Sequence, residues 1–121
     1  MKRGRPKGKV ARPTLSNGIL KKIGMVADTV CRAYEVSFSD VLSRRRNMLF
    51  VMPRWAIANA LFELVGIDNE DIASVLERER TAPHHMRASF KRELETNAKT
   101  RLRYEKLEKE LRAKLNGGCD G

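Results

Sequence analysis

The sequence predicts an all-α fold: a small helical bundle containing two helices joined by a tight turn, with a disordered basic arm in front and a long charged helix behind. Three observations predict it. Apolar residues recur at three- and four-residue spacing in four separate stretches, the period of a helix with one buried face. Helix-starting chemistry stands before those stretches: Ser16 or Asn17, Ser37 with Asp40, Pro53, Asp68 or Asn69, and Thr81. Glycine or a polar cluster closes most of them. Three segments follow: residues 1–13 as the arm, 14–94 as the helical domain, and 95–121 as the charged helix and tail.

Composition limits what such a fold can do. The 121 residues carry a formal charge of +10, and the pI is about 10.1. A chain this basic is expected to meet a polyanion. No apolar run approaches the roughly 20 residues that span a bilayer, so no membrane partner is expected. The basic N-terminus lacks the apolar region of a secretion signal. Cys31 and Cys119 make no disulfide framework, which fits a reducing cytoplasm.

The arm, Met1 to Pro13, has six cations and no acid. It cannot bury enough surface to offset its ordering entropy. Its Arg3-Gly4-Arg5-Pro6 resembles the core of an AT-hook, as in the high-mobility-group chromatin proteins. That resemblance implies Arg3 and Arg5 lying along a narrow A·T-rich minor groove. Gly4 to Lys9 is too short for a phosphate-binding loop, and no Ser or Thr follows Lys9.

Ile19, Leu20, Ile23, Val26, Ala27, Val30, Cys31 and Tyr34 predict an amphipathic helix over 16–34, which Gly18 and Gly24 weaken at its start. Ser37 and Asp40 predict a capping box opening a short helix through Leu42, with Phe38, Val41 and Leu42 packed on the first helix. Arg44-Arg45-Arg46 then falls on a loop. Met52 precedes a proline and is expected to be extended. Pro53 suits a helix's first turn, and Trp55 to Val65 give a largely buried helix ending at Gly66. A short helix carries Ile72, Val75 and Leu76 inward. Glu77 to Arg80 form the turn, Thr81 caps the next helix, Pro83 sits in its first turn, and Met86, Phe90 and Leu94 continue the apolar stripe.

Two helices joined this way, with cations crowded on one side, have the geometry of a helix-turn-helix DNA reader. Val30 to Phe90 resembles the C-terminal DNA-binding domain of the bacterial replication initiator DnaA, a Trp-repressor-like helix-turn-helix. Val41-Leu42-Ser43-Arg44-Arg45-Arg46 resembles the family's Leu-Leu-Ser-Lys-Arg-Arg, with Val36, Phe38 and Asp40 matching upstream. Pro53-Arg54 and the helix after it resemble Pro-Arg-Gln-(Met/Ile)-Ala-Met. Arg78-Glu79-Arg80-Thr81-Ala82 resembles the signature Arg-Asp-His-Thr-Thr, with His85 where the family has His.

The resemblance implies that Arg46 enters a minor groove, that Arg54 meets the DNA backbone and that Arg80, Thr81 and Ala82 read the major groove; Arg44 and Arg45 are expected to hold phosphates, and Arg78 and His85, on the DNA-facing turn, are further DNA-binding candidates. Glu79, Arg80 and Ala82 depart from the signature, and Arg80 is then expected to favour a guanine edge. The initiator's ATPase domain has no counterpart here, so a regulator of replication or transcription without ATPase activity is expected. Its partner would be double-stranded DNA carrying a DnaA-box-like or A·T-rich site.

Residues 91–115 are rich in Lys, Arg and Glu, and Tyr104, Leu107 and Leu111 keep helical spacing. Such a helix either extends its predecessor, folds back on the bundle, or pairs two copies as a short coiled coil, giving a homodimer. Glu105 with Lys109 and Glu110 with Lys114 are favourable pairs on it. No metal, cofactor or catalytic constellation is expected: adjacent His84 and His85 point about 100° apart on a helix. Rival readings are a sequence-neutral A·T-preferring nucleoid protein and a protein-interaction adaptor using the C-terminal helix.

Overall fold

A computed structural model of the chain describes residues 15–117. Those residues form six helices and no strand: α1 (Asn17–Tyr34), α2 (Phe38–Leu42), α3 (Met48–Ala60, running on as a π-helical turn, Leu61–Val65), α4 (Asn69–Leu76), α5 (Ala82–Thr96) and α6 (Ala98–Gly117). The arm, with Arg3 and Arg5, and the tail with Cys119 lie outside the described residues.

In α1 the Ser16 Oγ accepts from the Ile19 amide at 3.2 Å, and helix runs through both glycines. The cap and the burial of Ile23, Val26, Ala27, Val30, Cys31 and Tyr34 along one face outweigh the glycines' entropic cost. The predicted capping box forms at α2: Asp40 N–H donates to Ser37 Oγ and Ser37 N–H to Asp40 Oδ2, both at 3.1 Å. Val41 is fully buried and Phe38 packs against the core, whereas Leu42 does not join it.

The start of α3 differs from expectation. The helix begins at Met48 rather than Pro53, because Asn47 caps it: the side chain accepts from the Leu49 amide at 2.8 Å. Met52 is therefore helical, and Pro53 is buried in the second turn. The missing proline N–H removes one helical hydrogen bond, and the capped turn in front carries the helix past it. Gly66 ends the element in the left-handed conformation (φ 87°), with its N–H on the Leu61 carbonyl at 2.9 Å. Together α3 and its π turn make an 18-residue run, Met48–Val65, long and apolar enough by length and composition to cross a membrane, in contrast to the expectation that no apolar stretch reaches that length. Here Ala56, Ile57, Ala58, Ala60 and Leu61 of that run lie at the centre of the bundle, against α1 and α5.

α4 starts on Asp68, whose Oδ1 accepts from the Asp71 amide at 3.0 Å. Ile72 and Leu76 are fully buried. α5 places Met86 and Phe90 in the core, with Leu94 packed beside them.

Asn97 separates α5 from α6. Its amide donates to Glu93, ending one helix, and its Oδ1 accepts from Lys99 and Thr100, starting the next. α6 then folds back against α1 and α5. Tyr104, Leu107, Leu111 and Leu115 are buried in the same core as the rest. The Tyr104 ring meets Phe90 edge to face at 4.9 Å, and its hydroxyl accepts from Asn59 Nδ2 at 3.1 Å. Lys114 Nζ bonds Thr29 Oγ1 across to α1 and pairs with Glu110 at 3.1 Å. The charged helix is thus part of the domain, not an appendage to it. The stripe that would seed a coiled coil between copies is already spent inside the bundle.

Candidate nucleic-acid interface

The loop Ser43–Asn47 has little apolar surface to bury, yet two arginines hold it in place. Arg54, on the second turn of α3, is 7% exposed and reaches back across the loop. Its Nε donates to the Val41 carbonyl at 2.8 Å, and its Nη2 donates to the carbonyls of Ser43 and Arg45 at 2.9 and 3.2 Å. Arg78, just after α4, reaches the same loop from the other side. Its guanidinium donates to the carbonyls of Leu42, Ser43 and Leu76. Neither makes an ion pair among the described residues, so backbone carbonyls replace the water each guanidinium loses. Burial, and the charge of Arg78, push the Arg54 pKa below its ordinary value; burial, with Arg44 nearby, lowers that of Arg78.

Arg54 and Arg78, expected at the DNA, are both engaged with backbone carbonyls here. A guanidinium committed to three carbonyls has few donors left for a phosphate. What they achieve is indirect: the loop backbone is pinned, and Arg78 ties it to the turn between α4 and α5.

Arg44, Arg45 and Arg46 project outward from that pinned loop, all exposed. Arg45 lies over the Phe50 ring at 5.1 Å. The neighbouring turn is short because Glu77 adopts the left-handed conformation (φ 56°), its amide donating to Ser74 and the Arg78 amide to Ala73. Arg80 is exposed beyond it and pairs with Glu70 at 3.5 Å. Thr81 precedes α5 but does not cap it: its backbone is helical (ψ −15°) and its side chain makes no capping bond. Pro83 at the second helical position lacks one of the two amides such a cap would serve. Ala82 is half-buried against the core, while His84 and His85 are exposed with rings 5.6 Å apart, edge to face. Among the described residues, no three His, Cys, Asp or Glu side chains gather as a metal would need.

The exposed face of α5 extends further than the sequence reading took it. Ala88, Lys91 and Arg92 continue the line of Thr81, His84 and His85 at three- and four-residue spacing. Following the polar face opposite Met86 and Phe90 would have found them. Small Ala88 lets another surface approach α5 closely, and the two cations lie one turn beyond it, Lys91 within 4.0 Å of Glu63. The structure therefore brings together three exposed arginines of the loop, Arg80 and Thr81 of the turn, and the outer face of α5. Comparison with protein-family models, with curated proteins and with solved structures returns no match for this chain.

Proposed function

We propose that this protein binds double-stranded DNA, presenting α5 to the major groove and the Arg44–Arg46 loop to the adjoining minor groove and phosphates. The observation that carries the reading is the pair of guanidiniums, buried Arg54 and half-buried Arg78, which anchor a triple-arginine loop beside the turn of a helix-turn-helix. Holding three like charges at one place opposes their repulsion, and a polyanion relieves it. The DnaA-like motifs agree with this use, with Arg46 as minor-groove reader and with Arg80, Thr81 and His85 nearest the base edges. Ala82 supports the start of α5 from the core side. A cytoplasmic, nucleoid-associated regulator of replication or transcription without ATPase activity is the role that fits, with Arg3 and Arg5 adding an A·T-preferring contact.

The test is a salt titration of affinity for a DnaA-box duplex, an A·T-rich duplex and a scrambled one, using the full chain and residues 14–121. A site preference that survives loss of the arm, with a salt slope lower by roughly 0.9 per phosphate contact removed, supports the reading. Preference for A·T-rich DNA that vanishes with the arm makes the arm the reader.

One observation favours a second reading, an adaptor. A groove of about 820 Å³ runs along α6, and its lining includes Tyr34, Met52 and Leu102 with four cations, Lys99, Arg103, Lys106 and Lys109, against one acid, Glu105. Its chemistry fits an acidic partner segment. Equal, weak binding to all three duplexes would favour it.

A further inference from the structure

The first turn of α3 is an anomaly for a helix so apolar. Met48, Leu49, Phe50 and Val51 are four consecutive apolar residues, and among the described residues none of them joins the core. Leu49 is 67% exposed and Met48 47%. Phe50 and Val51 are half-buried, so Met48 and Leu49 form an adjacent exposed apolar pair that serves folding poorly and marks a contact site.

Its surroundings identify the chemistry of the contact. The run follows directly on Arg44–Arg46, and Leu49 is three residues beyond Arg46, at most about 11 Å along the chain. Its direction is fixed rather than loose, because Asn47 caps the turn through the Leu49 amide and Arg54 holds the loop in front. Phe50 is occupied by the Arg45 guanidinium. Leu49, with Met48 beside it, is the apolar tip left projecting. A second copy of this face would set arginines against arginines, so self-pairing is opposed. A surface that is apolar at its tip and cationic around it matches a base-pair step with its flanking phosphates.

We infer that Leu49 is a wedge that inserts between base pairs from the minor groove and bends the DNA, an inference resting on the DNA-binding reading above. Minor-groove proteins use Leu, Met or Phe in this way, unstacking one step and gaining contact from the bent duplex. Pyrimidine–purine steps open most readily, so a TA step is the expected point of entry.

The experiment uses the full chain and an A·T-rich duplex with 2-aminopurine at successive TA steps and a donor–acceptor dye pair at its ends. Wild type is expected to raise 2-aminopurine fluorescence at one step and to shorten the end-to-end distance on binding. Leu49→Ser should abolish both signals, and Leu49→Met should restore them. The serine variant should lose no more than about tenfold in affinity, because unstacking offsets much of what insertion gains. Leu49 lies on the surface, so the thermal melt should be unchanged in both variants. Binding by wild type without unstacking or bending overturns the wedge and leaves DNA binding intact. Bending by Leu49→Ser equal to wild type overturns it too. Salt-independent or absent binding overturns the DNA-binding reading and the wedge with it. Self-association that Leu49→Ser removes, without bending, makes the tip a contact between copies and overturns the wedge.

Discussion

Residues of one type, placed a few positions apart, take opposite roles here. Arg46 is exposed and Arg54 is buried on three carbonyls. Arg46→Ala should leave the melting temperature unchanged and weaken DNA binding by about 1–3 kcal/mol if its contact is to a base edge. Arg54→Ala should cost about 2–4 kcal/mol of stability, since it deletes three charge-assisted hydrogen bonds, the one to the buried Val41 carbonyl among them. Arg54→Lys should not restore it, because an ammonium lacks the planar fork that reaches all three. Parallel denaturant melts and DNA titrations separate the two roles. Burial also acts on the thiol of Cys31, pushing it up to about 11, with Asp28 and Asp40 adding to the shift. Burial likewise carries the Tyr104 phenol to about 12. Both pKa values are raised, so the folded state favours the neutral forms. Their contribution is complete below pH 9 and is lost as pH rises to 11 for Cys31 and from 10 to 12 for Tyr104. Stability measured against pH should decline from pH 9 upward, and Cys31→Ala should remove the earlier part of that decline.

The two elements most exposed to revision are the turns. Glu77 closes α4 at φ 56° and Gly66 closes α3 at φ 87°, the same need met by different residues. A side chain in that region costs roughly 1–2 kcal/mol relative to glycine. Glu77→Gly should therefore stabilise the protein by about 1 kcal/mol, less what glycine loses in entropy. Gly66→Ala should destabilise it by about 1–2 kcal/mol through conformation alone, because an added Cβ would meet nothing within 4 Å. Urea midpoints of the two variants should move in opposite directions. The capping box of α2 and the side-chain caps of α1 and α4 are legible in the sequence because each is a contact within four residues. The cap of α3 was not, because Pro53 is the louder signal and the short side chain of Asn47 the effective one.

At the scale of the molecule, α6 determines whether the bundle is complete. Leu111 is fully buried, and Tyr104 closes over Phe90 and Asn59. Leu111→Ala should cost about 2–5 kcal/mol, and a chain ending at Asn97 should show no cooperative melt by circular dichroism. Because the leucine stripe is enclosed, pairing through it would require α6 to undock. Sedimentation at tens of micromolar should give a species near 13.8 kDa.

The sequence by itself determined the helical class, most helix starts, the inward stripes and the exposure of Arg44–Arg46. These follow from periodicity and from contacts within one turn, which the order of residues encodes directly. Only the tertiary structure decided which arginines are held on backbone carbonyls and which stay exposed, and that α6 closes the core. Those outcomes depend on pairs 9 to 85 residues apart in the chain, Arg54 with Arg45, Asn59 with Tyr104 and Lys114 with Thr29 among them. Periodicity assigns a residue to a face, but only packing determines what that face meets.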